Sequence, residues 1–132
     1  MSFRIIQLEN LEVSIRKNAK NISMFFENSL IKKTMDDAEE KTLWTQDGSI
    51  ELRNVKEINS VYKKNDKIIS ISISYDFYTY KNMLILPFLK QGGIDIEIQF
   101  YKTTKMINIK CDEMEILLKD KPKYVKHIKK TE

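Results

Sequence analysis

Apolar and polar residues alternate along much of this chain. Leu11, Val13 and Ile15 are interleaved with Glu12, Ser14 and Arg16, the period of a half-buried strand, and residues 3–9 look extended in the same way. The clearest case is the segment 67–80. There Ile69, Ile71, Ile73, Tyr75 and Phe77 share one face, while Ser70, Ser72, Ser74, Asp76 and Tyr78 share the other. The second face is small and polar and is expected to meet solvent.

Between these stretches the spacing changes. Ile22, Phe25, Phe26 and Leu30 fall at i, i+3, i+4 and i+8, the positions of one helical face, with Asn18 or Asn21 placed to cap its start. Thr34 followed by Asp36 and Asp37 reads as a second helix start, with acids favourable to the helix dipole and Ala38 and Leu43 as inner positions. The pattern thus predicts one broken helical segment from about Asn18 to Leu43. Asp47-Gly48 then reads as a turn between Leu43-Trp44-Thr45 and Ile50-Glu51-Leu52. Residues 54–64 fit either a short helix capped by Asn54 or a strand running into a turn at 64–67, and the strand is preferred. Met83–Leu89 is a short apolar run whose Pro87 argues for an edge or a bulge.

The hairpin 94–112 is the most specified piece. With its turn at Lys102–Lys105, Phe100 faces Ile107, Ile98 faces Ile109 and Ile96 faces Cys111, while Gln99 meets Asn108 and Glu97 meets Lys110. In this register Asp95 stands opposite Asp112, a like-charge pair. Met114–Leu118 reads as a final strand or short helix, and beyond Pro122 the chain reads as a frayed or weakly helical tail. The expected architecture is α+β: a curved antiparallel sheet or partial barrel of about six to eight strands packed against an N-terminal helical segment. Residues 1–118 form a single domain in this reading, and 119–132 form a Lys-rich tail.

Charge sharpens the division. The 132-residue chain carries a formal +4, and residues 119–132 hold six lysines against Asp120 and Glu132. The whole net charge therefore resides in that segment, and residues 1–118 are formally neutral. No apolar run approaches the roughly 20 residues of a membrane-crossing helix, and MSFRIIQLEN has no apolar h-region of a signal peptide. The single cysteine, Cys111, excludes an internal disulfide, so a cytoplasmic location is expected.

Few residues offer chemistry. The one histidine, His127, lies among tail lysines without the packed shell that a general base needs. Cys111 sits on the inward side of the hairpin and reads as a small buried hydrophobe. One His and one Cys do not make a zinc site, and three glycines do not make a phosphate loop or dinucleotide fingerprint. No catalytic residue, metal or cofactor is expected. Asp76, Asp95 and Glu97 are the carboxylates that a sheet could bring together for glycoside hydrolysis, and the enzyme reading ranks last.

Two acidic groups, Asp36-Asp37-Glu39-Glu40 and Asp112-Glu113-Glu115, are suited to a basic protein partner, with Tyr78 and Tyr101 as aromatic anchors. Lys121, Lys123, Lys126, Lys129 and Lys130 form an alternative anion-binding group for nucleic acid or an anionic surface. Against that alternative, the chain has only three arginines, the side chains that carry most bidentate recognition.

The order of strand, helical segment and meander is broadly similar to small lipid-binding barrels. Ile50-Glu51-Leu52, Val55 and Ile58 resemble the strand pairs of pleckstrin-type domains. No signature residue of either family accompanies these patterns, so neither implies an activity. The reading that results is a non-enzymatic binding protein that occludes a protein partner, in the manner of a toxin-neutralising immunity protein or a phage-type inhibitor. The alternatives are nucleic-acid or anionic-surface binding through the tail, and carriage of a small apolar ligand inside the sheet.

Overall fold

A computed structural model describes residues 3–34, 41–59 and 64–129. These form nine strands: β1 (Phe3–Gln7), β2 (Glu12–Asn18), β3 (Asn21–Thr34), β4 (Lys41–Ile58), β5 (Asn65–Tyr75), β6 (Tyr78–Lys81), β7 (Met83–Leu86), β8 (Leu89–Phe100) and β9 (Ile107–Ile128). Every pairing is antiparallel. Among the described residues there is no helix, so the expected α+β class is corrected to all-β.

Six strands close a ring in the order β2-β5-β8-β9-β4-β3, with β3 returning to β2. Closure removes sheet edges there and explains why inward positions alternate so cleanly. Three ring strands are too long for the barrel. β3, β4 and β9 run on together, β1 pairs onto β3 and β7 onto β1, completing an open five-stranded extension, β9-β4-β3-β1-β7. Pro87 follows β7, an edge strand of that extension, as its lack of an N–H suggested.

The helical spacing of residues 22–30 has a specific cause. In β3 the buried side chains are Ile22, Met24 and Phe26, then Ser29 and Ile31. A bulge between Phe26 and Ser29 switches the inward set from even to odd numbers. Phe25 and Leu30, read as parts of a helical face, point outward instead. The same effect operates in β5, where a bulge between Ile68 and Ser70 places Ile69 outside while Ile68, Ile71 and Ile73 are buried. Phe77, expected on the apolar face, is fully exposed at the Asp76-Phe77 turn between β5 and β6.

Asp47-Gly48 does not turn the chain. It lies inside the 18-residue β4, at the level where the barrel passes into the extension. There the pairing shifts on both flanks, at Phe26/Ser29 on β3 and Thr45/Asp47 against β9, and Asn28 and Asp120 take positive φ of 55° and 61°. A Cβ built on Gly48 would stand 2.2 Å from the Leu117 carbonyl oxygen, so only glycine permits this approach of β4 to β9. Ser29 Oγ donates to the Gln46 carbonyl (2.7 Å), and Asn28 N–H donates to Asp47 Oδ1 (2.8 Å), satisfying groups freed by the bulge.

The 94–112 hairpin pairs two residues away from the expected register: Ile98 faces Ile107, Ile96 faces Ile109 and Ile94 faces Cys111. Asp95 then faces Lys110, so the Asp95–Asp112 clash does not arise. A shift of two keeps every side chain on its face, which is why alternation could not choose between the registers. The choice is made by Asp66. Buried at 1% exposure, its Oδ1 accepts the N–H of Lys67 (2.7 Å) and of Lys102 (3.0 Å), tying the longer loop after Phe100 to the start of β5.

Candidate functional site

Tyr78 and Tyr101 are both exposed, but the fold separates them. Tyr78 pairs with Tyr75 at one end of β5, and the Tyr101 N–H donates to the Lys67 carbonyl at the other. Seven residues of strand between Ile68 and Tyr75 span about 24 Å, so the two rings do not form one anchor. Tyr78 instead packs against Tyr80 with the rings tilted, 4.5 Å between centroids, and Tyr80 meets Phe88 edge-on.

Asp112, Glu113 and Glu115 do come together, on the outside of the barrel, and are engaged within the sheet. Arg53 pairs with Glu113 and with Glu115 (2.9 Å), Gln91 Nε2 donates to Glu113 (2.8 Å), Asn54 Nδ2 donates to Asp112, and Lys56 lies 3.4 Å from Asp112. The Gln91 hydrogen bond, then Arg53, hold the Glu113 carboxyl below its ordinary range, and both carboxylates push the Arg53 guanidinium up. This cluster is largely neutralised by its own neighbours. Asp36, Asp37, Glu39 and Glu40 lie outside the described residues, as does Lys130.

The remaining tail lysines are placed differently from expectation. Residues 119–128 continue β9 along β4 rather than fraying. Lys121, Lys123 and Lys126 therefore stand on a strand that forms an edge of the extension, and Lys129 follows directly after it. Lysines and Pro122 on an exposed edge are also what discourages edge-to-edge association.

The extension has two unlike faces, which follow from the register because directly paired residues share a side. On the outward face, one row runs Ile85–Ile5–Lys32–Leu43–Lys126 and the next runs Phe3–Thr34–Lys41–Ile128, with Leu30–Thr45–Lys123 toward the bend. Ile85 is 58% exposed and Phe3 41%. Among the described residues these three rows contain no carboxylate; Asp47 and Asp120 stand at the bend itself.

The inward face is apolar near the barrel and cationic farther out. Leu84–Ile6–Ile31–Trp44–Tyr124 form one row, and Leu86–Arg4–Lys33–Thr42–His127 form the next. Trp44 packs edge-on against Tyr124 at 5.3 Å, and its Nε1 donates to Thr42 Oγ1 (2.8 Å). A cavity of about 430 Å³ opens here, with Ile31, Leu86 and Trp44 as apolar walls and Arg4, Lys33 and Gln46 as polar ones. The barrel interior, by contrast, is filled: the void beside Phe100, Ile22 and Ile107 is about 10 Å³.

Sequence reasoning missed Arg4, Lys33, Trp44 and Gln46. A readable signal existed at Arg4, which shares the inward phase of Ile6 and Leu8. Lys33 shares that of Ile31, but the β3 bulge concealed the phase. Cys111 is buried as expected, and burial, helped by Asp112 and Asp95, pushes its thiol up to about 11. Comparison of the chain with family models, with curated proteins and with solved structures finds no match.

Proposed function

We propose that this protein is a non-enzymatic binding protein that occludes a protein partner, and that its working surface is the outward face of the extension. One observation carries the reading. Ile85, Ile5, Phe3 and Leu43 form a sheet face that no other part of the described chain covers, interleaved with Lys32, Lys41 and Lys126. Exposed apolar side chains gathered on one face mark an interaction surface more often than scattered ones do. The lysines favour a partner that is acidic where it makes contact, which would speed encounter, while the buried aliphatics would slow dissociation. The acidic groups first considered for a basic partner support the reading less, because Arg53 and Lys56 occupy the group at 112–115.

A nucleic-acid partner is the second reading, favoured by the gathering of Lys32, Lys41, Lys123 and Lys126 from three strands. The interleaved residues argue against it. Single-stranded nucleic acid is held by aromatic stacking beside cations, whereas Phe3 is the one aromatic residue in these rows. Carriage of an apolar ligand inside the barrel is not favoured, because the barrel void is only about 10 Å³.

The test is co-purification of the chain from its native host alongside the variant Ile85→Glu/Lys126→Glu. The native chain should retain one stoichiometric partner and the variant should lose it, while Tyr78→Ala/Tyr101→Ala should keep it. Recovery of the native chain alone, or an unchanged yield with the outward-face variant, would sink the reading. Retention only of nucleic acid, released by salt, would move it to the second.

A further inference from the structure

Arg4 and Lys33 are direct cross-strand partners on β1 and β3. Like charges in that position repel and are destabilising. Both are only half-buried, both line the cavity on the inward face, and no carboxylate among the described residues pairs with either. Along the same face Leu86 stands beside Arg4 and Thr42 beside Lys33, and the apolar Ile31 and Trp44 lie one row deeper. The deep end is closed by Gln46, 8% exposed. Its Nε2 donates to the Asp120 carbonyl (2.8 Å), which fixes the amide orientation and leaves Oε1 buried without a donor. A buried acceptor left unpaired is costly.

We infer that this cavity is a binding site for a small organic anion: a single carboxylate or phosphate monoester head between Arg4 and Lys33, with an apolar body over Ile31, Leu86 and Trp44. The volume of about 430 Å³ lies within the range of small-molecule sites. The planar guanidinium of Arg4 matches a carboxylate or phosphate edge with two parallel N–H donors, and the Lys33 ammonium adds a point charge beside it. An anion there converts the repulsion between the two cations into two attractions. Phe3 is the one residue that the cavity shares with the proposed protein-binding face, and the two are tested by different variants, so each can fail without the other.

Trp44 is the single tryptophan of the chain, so its fluorescence reports this cavity directly. Octanoate, octyl phosphate, octanol and inorganic phosphate are titrated into the full-length protein. Saturable change of Trp44 emission is expected with octanoate or octyl phosphate, whichever head is preferred, and not with octanol. Arg4→Gln and Lys33→Gln should each weaken that binding by about tenfold or more, whereas Lys81→Gln, exposed on β6, should leave it unchanged. If either cavity variant is misfolded by circular dichroism, loss of affinity of the native protein with rising salt takes its place. The inference is overturned if neither anion saturates, if octanol binds as well as octanoate, if inorganic phosphate matches octyl phosphate, or if the cavity variants bind like the native protein.

Discussion

Residues that look ordinary in the sequence carry much of the geometry. Asn10, Asn28, Asn54, Asn82, Asp76 and Asp120 all take positive φ. Apart from glycine, Asn and Asp tolerate this region best, so a chain with three glycines still turns and bulges at many points. Gly48 does something they could not, because it has no Cβ to meet the Leu117 carbonyl. Gly48→Ala is therefore expected to cost about 3 kcal/mol, read as a lowered urea midpoint. Cys111 gives a pH signature. Its folded value of about 11 lies above the ordinary thiol value of 9.0, so the unfolded chain releases its proton first as pH rises. The contribution is complete below about pH 9 and declines through the window up to 11. The urea midpoint of the native protein should fall more between pH 8 and 10.5 than that of Cys111→Val. An equal fall in both would show that the thiol does not contribute.

At the scale of elements, alternation was legible wherever a strand ran without interruption. β2 and the inward residues of β8 and β9 were readable in this way, down to the six side chains of the 94–112 hairpin that share its buried face. The misreadings have a common origin in bulges. One extra residue at Glu27-Asn28 made β3 mimic helical spacing, and another at Ile69 put the wrong isoleucine inside β5. The candidate site was less legible than the fold, since Arg4, Lys33 and Gln46 are far apart in sequence and meet only through pairings that those bulges set. β9 supplies a prediction of its own. Its exposed edge is guarded by Lys121 and Pro122, so Lys121→Val/Pro122→Val should promote self-association, visible as a concentration-dependent rise in light scattering. A variant whose scattering matches that of the native protein would show that the edge needs no such guard. Deleting 119–132 is a poor probe of anion binding, because it strips β4 of its neighbour and Trp44 of Tyr124.

For the whole molecule, the barrel and the extension are one cooperative unit in chemical terms, because β3, β4 and β9 pass through both. The pairing that these three strands make in one half continues along the same strands into the other. Two built-in probes report on the two halves: Trp44 in the extension and Cys111 in the barrel. Their denaturant midpoints, by fluorescence and by thiol labelling, should coincide within error. An earlier Trp44 transition would mean that the extension melts alone. The bend where the halves meet has a further consequence. Between Gly48 and Gln46 the central strand advances two residues, while β3 advances three, from Phe26 to Ser29. Between Thr45 and Asp47 it again advances two, while β9 spends four, from Lys119 to Lys123. Curvature is thus stored as a difference in contour length, as in a bent strip whose flanks are cut longer than its middle. Removing the surplus residues would straighten the strip while every inward residue stayed inward, so the shape of the cavity and the pattern of its lining can change independently of each other.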